Sequence, residues 1–82
     1  GVNDAEGERL NFRIYPNPTN ANLNISLPYE FIGEEITVYD LSGRKVITET
    51  VTAMQLQLET TNFSSGVYFV QIGAATEKFI KE

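Results

Sequence analysis

One short apolar segment constrains the fold of this chain more than any other feature of its sequence. From Val67 to Ile72 only Gln71 is polar, and Gly66 and Gly73 bound the segment. A short run of β-branched and aromatic residues between turn residues predicts a strand that is buried on both faces. Such a strand requires a neighbour on each edge and cover over each face, so we predict that it is the central strand of a sheet.

The rest of the chain divides into further short segments with the alternation of strands. No segment has the 3.6-residue period of an amphipathic helix, and turn residues separate the segments. The pattern predicts an all-β protein, a seven-stranded antiparallel β-sandwich of immunoglobulin-like type. The predicted strands span residues 11–15, 22–27, 35–40, 45–52, 54–59, 67–72 and 77–81.

The alternation within these strands also predicts which side chains form the core. Phe31 or Ile32 is expected to cover one end of it. Phe63-x-x-Gly66-x-Tyr68 resembles the corner before a late strand of such sandwiches, so Tyr68 is either a plain core residue or a donor to upstream backbone. The predicted core residues are Leu23, Ile25, Leu27, Ile36, Val38, Met54, Leu56, Leu58, Tyr68, Val70 and Ile72.

Two turn motifs interrupt the strand pattern. Pro16-Asn17-Pro18 ends the first strand, and because proline has no backbone donor, that strand is predicted at a sheet edge. The segment from Asp40 to Gly43 predicts a hairpin. Aspartate suits the first position of a type I turn, and glycine adopts the left-handed conformation that follows.

The residue types restrict the chemistry available to the chain. Its 82 residues predict one domain at 11–82, after an acidic, non-periodic lead-in at 1–10 that is expected to be a flexible linker. There is no histidine and no cysteine, and no paired carboxylates stand on an apolar background, so we expect no catalytic site and no cofactor. The asparagines at 17, 20, 22 and 24 are candidate ligands for calcium, but they carry no negative charge, and turn formation explains them better.

Charge and hydropathy restrict the partners. The net charge is −5, from 11 acidic and 6 basic residues, and three of the acids lie in the lead-in. A protein without a basic face is not expected to bind nucleic acid. No apolar run approaches the roughly 18 residues of a membrane-spanning helix, so direct membrane insertion is not expected either.

Two pairs of basic residues stand out. Arg44 and Lys45 follow the hairpin turn, and Lys78 and Lys81 lie in the last predicted strand. The lysines either protect an edge strand from aggregation or belong to a recognition surface. Physical reasoning alone favours protection.

Four motifs together resemble a known family. They are Tyr15-Pro16-Asn17-Pro18, Tyr39-Asp40-Leu41-Ser42-Gly43-Arg44, Gly66-Val67-Tyr68-Phe69-Val70 and Lys78-Phe79-Ile80-Lys81. In order and spacing they are similar to the C-terminal sorting domains of the type IX secretion system of Bacteroidetes, over residues 12–82. Each motif alone is weakly specific, whereas four in this order form a strong signal.

The resemblance implies a function that the residue types alone do not. Such a domain follows a larger cargo protein, which crosses the inner membrane and folds in the periplasm before the outer-membrane translocon recognises the domain. A cell-surface sorting peptidase then usually removes the domain. The protein is therefore expected in the periplasm in transit, and afterwards at the cell surface or secreted. The family's fold is an immunoglobulin-like sandwich without enzyme activity, in agreement with the strand pattern.

The resemblance also implies roles for individual residues. Arg44, Lys78 and Lys81 are candidates for translocon recognition because the predicted fold does not explain them, and Phe79 joins them from the terminal motif. The resemblance thus favours recognition over edge protection for the lysines. The motif residues assigned to the structure are Pro16, Asn17, Pro18, Asp40, Gly43, Gly66, Tyr68 and Val70.

Two other functions remain open. A small carbohydrate-binding or adhesive β-module needs an exposed aromatic platform, to which Tyr29, Phe31 and Phe69 could contribute, although the chain has no tryptophan. A structural spacer needs no recognition surface, and secretion would survive its deletion.

Overall fold

Two antiparallel sheets pack face to face. The computed structural model describes residues 10–82, so the predicted lead-in lies outside the described residues apart from Leu10. Within this part of the chain no helix is long and apolar enough to cross a membrane, and the one helical element is a 3₁₀ turn at Tyr29–Phe31. The strands are β1 (Arg13–Tyr15), β2 (Asn22–Ser26), β3 (Glu35–Asp40), β4 (Lys45–Thr50), β5 (Gln55–Glu59), β6 (Gly66–Ile72) and β7 (Ala75–Lys81).

The strand order confirms the predicted β-sandwich. One sheet has the order β1-β2-β5 and the other the order β4-β3-β6-β7, with antiparallel pairing throughout. Immunoglobulin-like sandwiches likewise place the first, second and fifth strands in one sheet and the third, sixth and seventh in the other. The central strand β6 lies between β3 and β7, as predicted. β1 lies at a sheet edge, as its prolines indicated.

The core lies between the sheets and follows the predicted alternation with two exceptions. Of the two candidates for one end of the core, Phe31 is buried and Ile32 is 47% exposed. The prediction for Met54 is wrong, because Met54 precedes β5 and is 49% exposed. Leu56, on the edge strand β5, is only half-buried and packs against the core. The other predicted core residues are buried: Leu23, Ile25, Leu27, Ile36, Val38, Leu58, Tyr68, Val70 and Ile72.

The central strand is buried on one face only, which corrects the prediction of cover over both. Tyr68, Val70 and Ile72 face the opposing sheet and are buried, whereas Val67 and Phe69 are half-buried on the outer face. A two-layer sandwich has no third layer, so side chains on the outer face are shielded only by their neighbours in the same sheet. The apolar outer face of β6 is therefore part of the protein surface.

Candidate recognition surface

One carboxylate organises the hairpin between β3 and β4. Asp40 Oδ1 accepts hydrogen bonds from the Ser42 amide (3.0 Å), the Ser42 hydroxyl (2.7 Å) and the Arg44 amide (2.9 Å). The Ser42 hydroxyl and the Arg44 amide hold the pKa of Asp40 below its ordinary value. The Gly43 amide closes the turn by donating to the Asp40 carbonyl oxygen at 2.9 Å, and Gly43 has φ +89°, which glycine adopts without strain. The predicted hairpin is confirmed.

Arg44 lies on the surface beside this carboxylate. Its Nε is 3.1 Å from Asp40 Oδ2, and its side chain is 79% exposed. An exposed ion pair of this kind contributes little to stability. The expectation that the fold does not explain Arg44 is therefore wrong in part, because the guanidinium has a partner within the hairpin. The side chain nevertheless remains accessible to another protein.

Two side chains from different strands donate hydrogen bonds to the backbone of the segment that connects β5 and β6. The Tyr68 hydroxyl donates to the carbonyl oxygen of Ser64 at 2.7 Å, and the Lys81 ammonium donates to that of Phe63 at 3.1 Å. Tyr68 is also buried, and its ring stacks on Phe79 with centroids 5.4 Å apart. Both interpretations of Tyr68 are thus confirmed, since it is a core residue and a donor to upstream backbone.

Two of the four recognition candidates face the interior. Phe79 has no exposed surface, and Lys81 is only 6% exposed. They lie on the same face of β7 because side chains two residues apart along a strand point the same way. The expectation that the fold does not explain Lys81 is wrong, since its ammonium donates to the Phe63 carbonyl oxygen at the corner before β6. A partner that binds the folded domain reaches neither side chain.

Lys78 is the exposed lysine of the terminal motif. It projects from the opposite face of β7 to Lys81, together with Ile80. Arg44 immediately precedes β4, and β3 and β6 lie between β4 and β7. With strands about 4.8 Å apart, the backbones of β4 and β7 are about 14 Å apart. The four candidates therefore do not form one cluster.

The segment that contains the first turn motif forms hydrogen bonds with the backbone at the edge of the last strand, β7. Asn17 Nδ2 donates to the Lys78 carbonyl oxygen (3.1 Å), and Asn17 Oδ1 accepts from the Ile80 amide (2.9 Å). The Thr19 amide donates to the Ile80 carbonyl oxygen and the Thr19 carbonyl oxygen accepts from the Glu82 amide, both at 2.9 Å. The loop between β1 and β2 thus satisfies backbone groups that an edge strand otherwise offers to another chain. No sequence signal showed this contact, which joins residues more than 60 positions apart.

The remaining motif residues also belong to the framework of the fold. Val70 is fully buried, and Gly66 begins β6 with φ +152°, a conformation that side-chain-bearing residues rarely adopt. Pro16 and Pro18 are exposed on either side of Asn17, which bonds β7. These assignments leave Arg44 and Lys78 as the exposed candidates.

Strand register brings together four side chains that sequence spacing does not connect. Tyr39 pairs with Lys45 on β4 and with Phe69 on β6, and Phe69 pairs with Lys78 on β7. Directly paired residues of antiparallel strands project from the same face, so these four side chains form one row across the outer face. We call them the outer row. A register shift between Val38 and Tyr39 sets the pairing of Lys45, and nothing in the sequence marks it.

The residues considered for metal or glycan binding do not assemble into such sites. Within residues 10–82 no three histidine, cysteine, aspartate or glutamate side chains form a group that could hold a metal ion. The Asn24 side chain instead bonds to the neighbouring strands. Of the three platform aromatics, Phe31 is buried, Tyr29 is 68% exposed in the 3₁₀ turn, and Phe69 is half-buried in β6. They do not form one exposed surface.

The fold and the placement of the motifs define a small β-sandwich module whose motif residues mostly hold the sandwich together. The family model for the secretion system C-terminal sorting domain matches residues 13–82, and the chain belongs to this family. The matched segment begins at the first residue of β1 and includes all seven strands.

A curated relative is a much larger protein. The chain is similar to beta-agarase A of Zobellia galactanivorans (strain DSM 12802), with 27% identity over 67 residues. The similarity covers 82% of this chain but only 12% of the relative. The chain is therefore a C-terminal sorting signal for type IX secretion, of a family that is not catalytic, and it is destined for the cell surface or for secretion.

Proposed function

We propose that this domain directs a larger cargo protein through the outer-membrane translocon of the type IX system after transit through the periplasm. A cell-surface sorting peptidase then removes the domain from the cargo. The domain has no catalytic activity of its own and requires no cofactor. Its role is to fold into a surface that the translocon recognises.

The family match over residues 13–82 carries this proposal. It covers the whole sandwich, including the hairpin, the central strand and the terminal strand. The larger relative supports a cargo attached to such a domain, because only 12% of its length is matched. The buried motif residues support recognition of the folded domain, since an unfolded segment needs no interior aromatic stack.

Arg44 and Lys78 are the exposed cations of the four motifs, and we assign them to recognition. Phe79 and Lys81 contribute indirectly, by holding β7 and the corner before β6 in place. Export therefore depends on two separable properties of the domain, its folding and its exposed charge.

A reporter fusion tests the proposal. A fluorescent protein with a periplasmic export signal is joined to residues 1–82 and expressed in a Bacteroidetes host that has a type IX system. We expect the reporter at the cell surface or in the medium, and in the periplasm when residues 11–82 are deleted. The same fusion in a host without the translocon is expected to stay in the periplasm.

Charge reversal tests the assignment of residues. Arg44→Glu and Lys78→Glu are expected to reduce surface delivery without unfolding the domain. Arg13→Glu is the matched control, because Arg13 is exposed on β1 of the other sheet. Equal export of all three variants would remove Arg44 and Lys78 from the signal, and periplasmic retention of the unaltered fusion would contradict the proposed function itself.

A further inference from the structure

We propose that the outer face of the four-stranded sheet, centred on the outer row, is the docking surface for an acidic protein of the secretion machinery. The inference rests on the proposed function and names the surface and the partner chemistry that it leaves open. The outer row consists of Lys45, Tyr39, Phe69 and Lys78, one side chain from each strand of the sheet.

The outer row has an apolar centre between two cations. Lys45 is exposed on β4 and Lys78 is exposed on β7, while Tyr39 and Phe69 between them are half-buried. The lysines stand about 14 Å apart, three strand spacings of about 4.8 Å. The rings offer flat apolar area, and each lysine adds a charge at its end of the row.

The neighbouring rows extend this surface without adding acidic residues. On one side the register pairs Val67 with Ile80, which is 42% exposed, and Leu41 at the adjoining turn is 70% exposed. On the other side the row contains only threonine and glutamine: Thr48 and Thr76 are exposed at its ends, and between them Gln71 is half-buried and Thr37 is buried. A chain with a net charge of −5 thus carries two lysines on a face where three successive rows contain no carboxylate.

A local irregularity places Lys45 in the row. Val38 pairs with Ile47, so regular pairing would put Val46 opposite Tyr39. The observed partner is Lys45, because β4 has one extra residue at this point. Bulges of this kind redirect side chains, and here the result is a cation at each end of the outer row.

Edge protection does not account for Lys78. The loop between β1 and β2 already covers the edge of β7, where Asn17 bonds the Lys78 carbonyl oxygen and the Ile80 amide. The Lys78 side chain stands on the outer face of the sheet rather than along that edge. A charge that protects nothing at its own edge is available for binding.

Charge and area indicate which partner fits. The three rows extend about 20 Å along the strands and about 20 Å across the sheet. The resulting area of about 400 Å² is half of the area that one partner contributes to a standard interface. A second copy of this acidic chain would present lysines to lysines, and the area is too small for a permanent dimer. An acidic protein with apolar side chains between its carboxylates complements the charges and the apolar centre of this surface. Transient binding by such a partner agrees with the small area.

The test combines charge reversal, charge retention and site-specific crosslinking in the reporter fusion. Lys45→Glu with Lys78→Glu is expected to reduce surface delivery about tenfold or more, because like charges facing each other across an interface repel strongly. Lys45→Arg with Lys78→Arg is expected to be delivered normally. Melting of each purified 82-residue chain should stay within about 4 °C of the unaltered protein, since exposed substitutions change stability little.

A photo-reactive residue at position 76 identifies the partner. Thr76 lies on the outer face beside Lys78, and Gln57 on β5 of the other sheet is the matched control position. We expect a crosslink from position 76, and none from 57, to a secretion-machinery protein. Replacing acidic residues by lysine on that protein should restore delivery of the double glutamate variant.

Three results would overturn the inference. They are normal delivery of the double glutamate variant, loss of delivery in the arginine variant with its fold intact, and crosslinking from position 76 to lipopolysaccharide or lipid instead of protein. Each of them leaves the sorting function standing, provided that the unaltered fusion is exported, although normal delivery of the double glutamate variant would also withdraw the assignment of Lys78 to recognition. Retention of the unaltered fusion in the periplasm would instead contradict the proposed function itself.

Discussion

Replacing Lys81 by glutamate should strongly destabilise the domain, whereas the same change at Lys78 should not. Lys81 is 6% exposed and donates to the Phe63 carbonyl oxygen at 3.1 Å, so a carboxylate there would meet an acceptor where a donor is needed. A buried charge left without a partner costs about 3–5 kcal/mol. A domain of this size loses about 4–8 °C of melting temperature per kcal/mol, so Lys81→Glu should melt at least about 12 °C lower.

Two further variants separate the parts of this cost. Lys81→Met retains an unbranched apolar side chain but leaves the Phe63 carbonyl oxygen without its donor, which costs about 1–3 kcal/mol. Lys78→Glu changes an exposed side chain on the other face of β7, and its effect should stay within about 0.5 kcal/mol. We therefore expect the highest melting temperature for Lys78→Glu, a lower one for Lys81→Met and the lowest for Lys81→Glu.

Thermal melting of the purified chain, followed by circular dichroism in the strand region, measures all three variants. Fractionation of the corresponding reporter fusions then shows which losses of export follow from unfolding. If Lys81→Glu melted within about 4 °C of the unaltered protein, the ammonium would be solvated and its bond to Phe63 would contribute nothing. The reasoning that separates the two lysines would then be refuted.

Substitutions at three other positions test separate parts of the structure by melting of the purified chain. Gly43→Val should cost about 1–2 kcal/mol because a β-branched residue is strained at φ +89°, and an unchanged melting temperature would contradict the turn. Asn17→Ala should cost about 1–3 kcal/mol, since it removes two bonds to β7, and Asn17→Asp should also destabilise the domain, because it keeps the acceptor but sets a carboxylate oxygen against the Lys78 carbonyl oxygen. The pKa of Asp40 is lower in the folded protein than its ordinary value of 3.8, so the ionised carboxylate stabilises the fold at pH values above 3.8. This contribution is lost as the pH falls through the folded pKa. The advantage of the unaltered protein over Asp40→Asn should therefore shrink in acid, and a constant difference from pH 6 to pH 2 would contradict the hydrogen-bonded carboxylate.

The sequence predicted the parts of the fold that depend on local pattern. Period-two alternation identified the seven strands, and Asp40 with Gly43 identified the hairpin, because each signal lies within a few neighbouring residues. Met54 was assigned to the core because the same alternation continues one residue beyond the start of β5. Pattern alone cannot locate the end of a strand.

The sequence did not predict the features that depend on pairing between distant strands. The direction of Lys81 follows from the alternation in β7, but its carbonyl partner lies on the corner before β6. Lys45 enters the outer row through one register shift, and Asn17, which bonds β7, lies more than 60 positions away from it in the sequence. Side-chain types alone could not show which of the exposed cations share a face.

The contact between the loop after β1 and the last strand limits how such domains can be recombined. Asn17 and Thr19 bond the backbone of residues 78 to 82, so the first and last parts of the sandwich share one set of hydrogen bonds. A chimera that exchanges only the terminal strand between two sorting domains would pair each loop with a foreign edge. An exchange that moves the first loop and the last strand together would retain their complementarity and should yield a folded signal.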